Sequence, residues 1–210
     1  SAATALESGQ THYVDVPGIA PLRAAIADDL KQSYDAAYAQ PNVIVTAGIQ
    51  EARFLTLQMI GETVGRVAVP KVVHPGVRKA LGVRALELHM LDVDEHMLPT
   101  LDTLRATLQG GSRLLFLESP SRLTGAISSA DEVAQIAALA AEFSAIVIWD
   151  QGLAPWVGEY PSLAAHAAER TVVIGEAFPG SGLGSWLIGY IAAAESLVAP
   201  MQSQKQIMAI

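Results

Sequence analysis

The segment most suggestive of chemistry is Thr171–Tyr190 (TVVIGEAFPGSGLGSWLIGY), in which a short apolar strand opens into a loop with glycines at 175, 180, 182 and 184. Glycine-rich loops after strands often hold phosphate groups, because their backbone N–H groups can approach an anion closely. This loop contains no Lys or Arg, and Pro179 lies in its middle. The segment therefore has the form of an anion-binding loop without the expected cation.

A carboxylate, Asp150, follows the very apolar run Ala145–Trp149 (AIVIW). At the end of a buried strand a carboxylate loses its hydration unless it meets a cation or a hydrogen-bond donor. Asp150 could therefore contact a ligand, for example a protonated ring nitrogen. It could equally face a helix N-terminus or solvent, and the residues alone leave these readings open.

Two further turns contain groups that could bind an anion. Thr46–Gln50 (TAGIQ) joins a strand to a helix N-terminus, where backbone N–H groups attract negative charge, although a tight turn that needs Gly48 explains the same residues. Arg122, in Ser119–Gly125 (SPSRLTG), is the only cation that the sequence places near the predicted site loops. It could bind a carboxylate or a phosphate, or it could be a solvated surface arginine.

Several classes of site and partner have no support in the composition. The chain has no cysteine, which excludes disulfides, thiolate metal sites and a cysteine nucleophile. The five histidines, at 12, 74, 89, 96 and 166, lack metal-ligand spacing, so no metal site is expected. The formal net charge is −8 and the basic residues are scattered, which argues against nucleic acid as a partner.

The chain also lacks the signals of membrane insertion and export. No apolar run approaches the ~18 residues of a membrane span, and no signal peptide is visible. No membrane association is expected, and the cytoplasm is the predicted location.

Helical and strand patterns alternate along all 210 residues. This alternation predicts one α/β domain with three α-β-α layers and a mostly parallel sheet. The predicted helices are Ser1–Gly9, Pro21–Ala37, Gln50–Gly61, Gly76–Leu81, Thr100–Leu108 and Asp131–Phe143, and the predicted strands are Asn42–Thr46, Arg66–Val69, Arg84–His89, Leu114–Leu117, Ala145–Trp149, Val172–Ile174 and Trp186–Ala192.

Such sheets bind ligands at the carboxyl ends of their strands. Four polar candidates and the glycine loop directly follow predicted strands, so one crevice is expected to hold them together. The four candidates are Gly48, His74, Arg122 and Asp150.

The order of these segments resembles the large domain of fold-type-I pyridoxal-phosphate enzymes, the class I/II aminotransferases. The resemblance spans nearly the whole chain, with residues 1–210 matching a large domain without the family's N-terminal arm and C-terminal small domain. The segments that carry it are Tyr13–Gly18 with Pro21–Arg23 (YVDVPG and PLR), Val43–Ala52 (VIVTAGIQEA), Val69–Val77 (VPKVVHPGV), Glu118–Gly125 (ESPSRLTG), Ile148–Asp150 and Val172–Tyr190.

The resemblance implies a cofactor, pyridoxal phosphate, and a set of residues that would bind it. Asp150 matches the aspartate that pairs with the pyridine nitrogen, and Gly48 and Ile49 match the backbone of the phosphate cup. Tyr13 matches a tyrosine that reaches the phosphate in the neighbouring subunit, which implies a homodimer. His74 and Arg122 stand where the family has the aromatic that stacks on the ring and the asparagine that bonds its hydroxyl.

The resemblance also shows which chemical groups are replaced. Pro179 occupies the position of the lysine that bonds covalently to the cofactor and moves protons, and a proline nitrogen can do neither. Glu176 and Leu187 replace a serine and an arginine that bind the phosphate, and Leu153 replaces a tyrosine that bonds the ring hydroxyl. Retained cofactor binding is therefore doubtful on these residues.

Four functions are compatible with this pattern. The first is a degenerate aminotransferase homologue without normal transaminase activity. The second is an active pyridoxal-phosphate enzyme with altered chemistry, acting on an amino or keto acid. The others are an aminotransferase-like effector or binding domain of a larger protein, and an unrelated α/β domain with coincidental motifs.

Overall fold

A computed structural model of the chain describes residues 2–83, 86–182 and 184–209. Within these residues seven strands form one sheet in the order β1-β7-β6-β5-β4-β2-β3, and only β7 runs antiparallel to its neighbours. The strands are β1 (Val43–Ala47), β2 (Arg66–Pro70), β3 (Glu87–Leu91), β4 (Leu114–Glu118), β5 (Ile146–Asp150), β6 (Thr171–Glu176) and β7 (Ile188–Ala192).

Helices cover both faces of the sheet, which confirms the three-layer α/β prediction. Helices α3, α4 and α8 pack on one face, and α2, α5, α6 and α7 pack on the other. Within the described residues the helices are α1 (Ala2–Glu7), α2 (Ala20–Tyr34), α3 (Gly48–Val64), α4 (Pro75–Leu81), α5 (Leu101–Gln109), α6 (Ala130–Glu142), α7 (Ala164–Ala167) and α8 (Glu195–Ala209). None of them is both long and apolar enough to cross a membrane.

Strand alternation decides which side chains face α3. In β5, Val147 and Trp149 point into the layer of α5 and α6, so Ile148 and Asp150 point towards α3. Glu118 of β4 pairs directly with Asp150 in the parallel ladder and therefore faces the same way. Two carboxylates thus lie side by side at the carboxyl edge of the sheet, on the α3 face.

Helix α3 is longer than predicted at both ends. The prediction ended it at Gly61, but Gly61 lies inside the helix, where a Cβ atom would come within 2.7 Å of Leu86 Cδ1. The helix ends instead at Gly65, whose φ of 72° provides the left-handed cap that glycine favours. Gly61 therefore serves close packing and not helix termination.

Three other boundaries differ from the prediction for local reasons. Helix α2 ends at Tyr34 because Asp35 adopts a left-handed conformation, with φ of 51°. The last strand begins at Ile188, so its prediction was wrong for Trp186, which lies in a 3₁₀ turn, and for Leu187, whose φ is 50°. Strand β3 extends to Leu91, and the predicted residues Arg84 and Ala85 lie outside the described residues.

A buried hydrogen-bond chain fixes the end of β5 against the loop after β4. The indole Nε1–H of Trp149 donates to the Tyr160 hydroxyl at 2.7 Å, and that hydroxyl donates to the Ser119 carbonyl at 2.6 Å. Trp149 has no exposed surface, so its N–H cannot turn to water. This chain holds the two strand ends that carry the carboxylates.

Replacing Tyr160 with Phe tests this chain. The change leaves the Trp149 N–H and the Ser119 carbonyl buried without a partner, which costs about 1–3 kcal/mol of unfolding free energy. Urea unfolding of the two proteins measures the difference. Tyr13→Phe, at a side chain that is 98% exposed, is the matched control and should change nothing; equal losses for the two variants would contradict the assignment.

Candidate functional site

Three acidic and two basic side chains meet at the carboxyl edge of the sheet, on the α3 face. Glu118, Asp150 and Glu176 come from the ends of β4, β5 and β6. Arg53 comes from the second turn of α3, and Arg122 comes from the loop after β4. The five groups form two ion-paired clusters.

Arg53 and Asp150 form the central pair. Arg53 Nε and Nη2 donate to Asp150 Oδ2 at 2.8 and 2.6 Å, while the Gly152 N–H donates to Oδ1 at 3.1 Å. The two side chains are 2% and 1% exposed. A buried charge is tolerated only when it is paired and hydrogen-bonded, and each group supplies that for the other.

Glu118 is the second carboxylate on Arg53, at 3.3 Å from Nη2. Its Oε2 is buried without a hydrogen-bond partner within the described part of the chain. Burial raises the pKa of the Glu118 carboxyl to about 7, with the charge of Asp150 as a further cause, while Arg53 opposes the rise. Glu118 is therefore the group of this cluster that changes charge near neutral pH.

His74 closes the cluster on the side of α4, where it is the N-cap residue. Its Nδ1 accepts the Gly76 N–H at 3.0 Å and lies 3.2 Å from Arg53 Nη1. Burial lowers the pKa of the His74 ring, and the positive charges of Arg53 and Arg122 lower it further, whereas Asp150 opposes them. Two donors on Nδ1 and a lowered pKa leave His74 a neutral imidazole at pH 7.

Arg122 is neither a free anion-binding cation nor a solvated surface residue. Its Nη2 lies 2.7 Å from Glu176 Oε1, and its side chain is 19% exposed. The guanidinium packs over Gly152, where any Cβ atom would clash with Nη2 and with the Ile49 side chain. The expectation that Arg122 is the only cation near these loops was wrong, because Arg53 approaches from the helix above.

A carboxylate also lies at the N-cap residue of α3, Ala47. The Ala47 N–H donates to a Glu51 carboxylate oxygen, and the other oxygen of Glu51 lies 2.8 Å from Lys205 Nζ. Gly48 begins the helix with φ of 73°, and a Cβ atom there would lie 3.4 Å from Leu187 Cβ. Glu51 therefore bonds the N-cap residue beside this turn, and the phosphate cup at Gly48 and Ile49 stays a prediction.

A cavity of about 390 Å³ opens between this turn and the loop after β6. Its walls are mostly apolar, and Glu176 is the single charged residue among the described residues that line it. Pro179 forms part of the wall, and the four lysines of the sequence, at 31, 71, 79 and 205, lie elsewhere in the chain. Other lining residues include Gly48, Ile49, Trp156, Phe178 and Leu187.

The structure brings five of the six predicted site residues together, either in the ion-paired clusters or in the cavity wall. These are Gly48, Ile49, His74, Arg122 and Asp150. Tyr13 is 98% exposed, and its predicted contact with a neighbouring subunit stays a prediction. Whether any of the six binds a cofactor likewise stays a prediction.

Arg53 and Glu118 were missed as site residues. The signal for Arg53 was its place on the apolar stripe of α3, four residues after Ile49 and four before Leu57, where a charge must be buried. The signal for Glu118 was its position at the end of the apolar strand LLFL, like that of Asp150. A buried cation and two strand-end carboxylates on one face predict an ion pair.

Replacing Arg53 with Met should destabilise the protein strongly. Removing one partner of a buried ion pair leaves the other charge without compensation, which costs about 3–5 kcal/mol of unfolding free energy. Arg105→Met is the matched control, because Arg105 pairs with Glu142 at 2.8 Å on the exposed surface and should contribute less than about 1 kcal/mol. Comparable urea midpoints for the two variants would refute the buried-pair assignment.

Glu118 should make stability depend on pH. Its folded pKa of about 7 exceeds the ordinary value of 4.5, so its contribution is fully present below pH 4.5 and is lost as the pH rises through about 7. Glu118→Gln imitates the protonated form. Relative to this variant, the native chain should lose up to about 3 kcal/mol between about pH 5 and pH 8.

The measurement is urea unfolding of both proteins across this pH range. The exposed Glu95→Gln is the control, and its difference from the native chain should not vary with pH in this way. A constant difference between the native chain and Glu118→Gln would show that Glu118 does not titrate there.

Comparison with known proteins identifies similar sequences and a matching family model. The family described as aminotransferase class I and II matches residues 2–208. A probable aspartate aminotransferase of Methanocaldococcus jannaschii is 24% identical over 198 residues, and a probable N-succinyldiaminopimelate aminotransferase of Mycobacterium tuberculosis is 28% identical over 216 residues. These matches cover 94% and 98% of this chain but 53% and 54% of the relatives, so the chain spans about half their length.

Solved structures agree with the sequence comparison. An aromatic aminotransferase of Pyrococcus horikoshii has a TM-score of 0.90 at 23% identity and shares the fold, with 98% of this chain and 57% of that chain covered. N-succinyldiaminopimelate aminotransferase of Mycobacterium tuberculosis has a TM-score of 0.84 at 26% identity, with 99% and 56% covered. The match along nearly the whole sequence, together with the shared fold, shows that the chain belongs to the aminotransferase class I and II family.

Proposed function

We propose that this chain is a degenerate member of its family that has lost normal transaminase activity and acts through binding and not through amino transfer. The observation that carries the proposal is the wall of the cavity beside the β6–β7 loop. Pro179, which matches the lysine position by resemblance, forms part of that wall, and no amine lies among the described lining residues. A chain without this amine lacks both the covalent anchor and the proton carrier of the family reaction.

The family implies pyridoxal phosphate as cofactor, and the residues present here do not fit its phosphate. A phosphate dianion needs cations or free N–H donors. The described residues that line the cavity include no cation, and the single charged group among them is the Glu176 carboxylate, which is paired with Arg122 at 2.7 Å. Leu187 is 64% exposed beside Gly48 and offers no charge. The described cavity wall therefore supplies no unpaired positive charge for a phosphate at this turn.

The proposal includes two further expectations from the resemblance, a homodimer and the correspondence to one domain of the family. A homodimer is supported by large apolar side chains that stay exposed around the cavity, namely Trp156, Phe178, Trp186 and Leu187. That the chain corresponds to the family's large domain is supported by its match to about half of each relative. A cytoplasmic location stays a prediction.

An amino-transfer assay combined with a cofactor titration tests the proposal. The purified protein is titrated to millimolar pyridoxal phosphate, with the visible spectrum recorded, and is then mixed with aspartate, glutamate or aromatic amino acids to detect keto acids. We expect no lysine–pyridoxal absorbance band beyond the one that free lysine gives at the same cofactor concentration, and no keto acid above the protein-free rate. Saturable formation of a keto acid would show a working enzyme with altered chemistry.

Tryptophan fluorescence in the same titration reports on the cavity. Trp149 and Trp186 lie nearest the site in the sequence, but Trp149 is fully buried in the opposite layer, and Trp156 lines the cavity instead. Trp156→Phe therefore identifies the part of any quenching that comes from the cavity.

A further inference from the structure

We infer that the Arg53 guanidinium is an internal substitute for the cofactor's ring nitrogen. The guanidinium binds Asp150 permanently, so this carboxylate is not open to the nitrogen of a pyridine ring in the crevice. The resemblance makes Asp150 the residue that would pair with that nitrogen. In this chain the carboxylate already has a cationic N–H donor, supplied by α3. The inference deepens the proposed function, on which it rests, by naming the group that closes the site.

Both oxygens of Asp150 are engaged. Oδ2 accepts two hydrogen bonds from Arg53, and Oδ1 accepts the Gly152 N–H at 3.1 Å. Asp150 has no exposed surface, and Arg53 is 2% exposed. A ring nitrogen can reach this carboxylate only by displacing the guanidinium.

Arg53 cannot move aside at low cost. Its Nη2 is also held by Glu118 at 3.3 Å, and its Nη1 lies 3.2 Å from the His74 ring. Its Cα is fixed within α3, whose neighbouring residues Ala52, Leu55 and Leu57 have no exposed surface. A displaced guanidinium would therefore remain buried without its carboxylate, which is strongly unfavourable.

A guanidinium can replace a protonated pyridine nitrogen as the cationic hydrogen-bond donor to Asp150. A protonated pyridine offers a carboxylate one N–H and one positive charge, and a guanidinium offers several N–H groups in a planar fork that stays charged at every physiological pH. Asp150 thus keeps the charge balance that a cofactor would give it. The Arg53 guanidinium therefore explains how the Asp150 carboxylate can remain buried at a strand end.

The test compares ligand binding with and without Arg53. Native protein, Arg53→Met, the double variant Arg53→Met with Asp150→Asn, and the surface control Arg105→Met are titrated with pyridoxal phosphate, and binding is followed by Trp156 fluorescence and calorimetry. We expect no saturable binding at millimolar ligand for the native protein and the control. Arg53→Met should bind saturably, with a Kd at least tenfold below the highest ligand concentration tested on the native protein, and the double variant should lose that binding.

Pyridoxal, which has the same ring and no phosphate, separates the ring site from the phosphate cup. Because Arg53 acts at the ring, Arg53→Met should bind pyridoxal saturably as well as pyridoxal phosphate. A folded Arg53→Met that binds neither ligand better than the native chain would overturn the inference. So would saturable binding to the native chain that Asp150→Asn abolishes.

A measurement on the native protein covers the case in which Arg53→Met does not fold. The Arg53 Nε–H resonance, assigned by its loss in Arg53→Lys, should be protected from exchange with water and should not shift when pyridoxal phosphate is added. The Nε–H of the half-exposed Arg66 serves as the exchanging control. A saturable shift of the Arg53 resonance would mean that the ring reaches Asp150, which contradicts the inference even if no keto acid forms. Keto acid formation, in contrast, contradicts the proposed function.

Discussion

The buried pair of Arg53 and Asp150 is the constraint on which the candidate site depends. Two charges without solvent contact can coexist only in contact with one another, so α3 must lie with its second turn over the end of β5. That placement brings Gly48 and Ile49, one turn earlier, to the same edge of the sheet. The position of the cavity follows from the position of the helix.

The second pair, Arg122 with Glu176, also joins two opposite charges, at a position nearer the solvent. Glu176 projects from the end of β6 on the α3 face, and Arg122 reaches it across Gly152, which has no side chain to obstruct the guanidinium. Either side chain by itself would place an unmatched charge in the crevice. Together they neutralise one another.

Much of the fold was predictable because the spacing of apolar residues within a short segment indicates whether that segment forms a helix or a strand. The alternating runs predicted the three-layer α/β architecture, and the capping box of Ser129 with Glu132 marked the start of α6. The predicted element boundaries were wrong where contacts between residues distant in the sequence determine where a helix or strand ends. The local sequence predicts a helix end at Gly61 because it does not reveal the packing of Gly61 against Leu86. It predicts too early a start for β7 because it does not reveal the left-handed backbone of Leu187.

The sequence by itself determined which chemical groups the site could contain: a strand-end aspartate and a glycine-rich loop that has a proline and no cation. Only the tertiary structure decided how the charges are matched. Arg53 and Asp150 are separated by 97 residues along the chain, and periodicity places each on a face without showing what lies opposite. Charge pairing across a core depends on distances between elements, and only the packing of α3 on the sheet sets those distances.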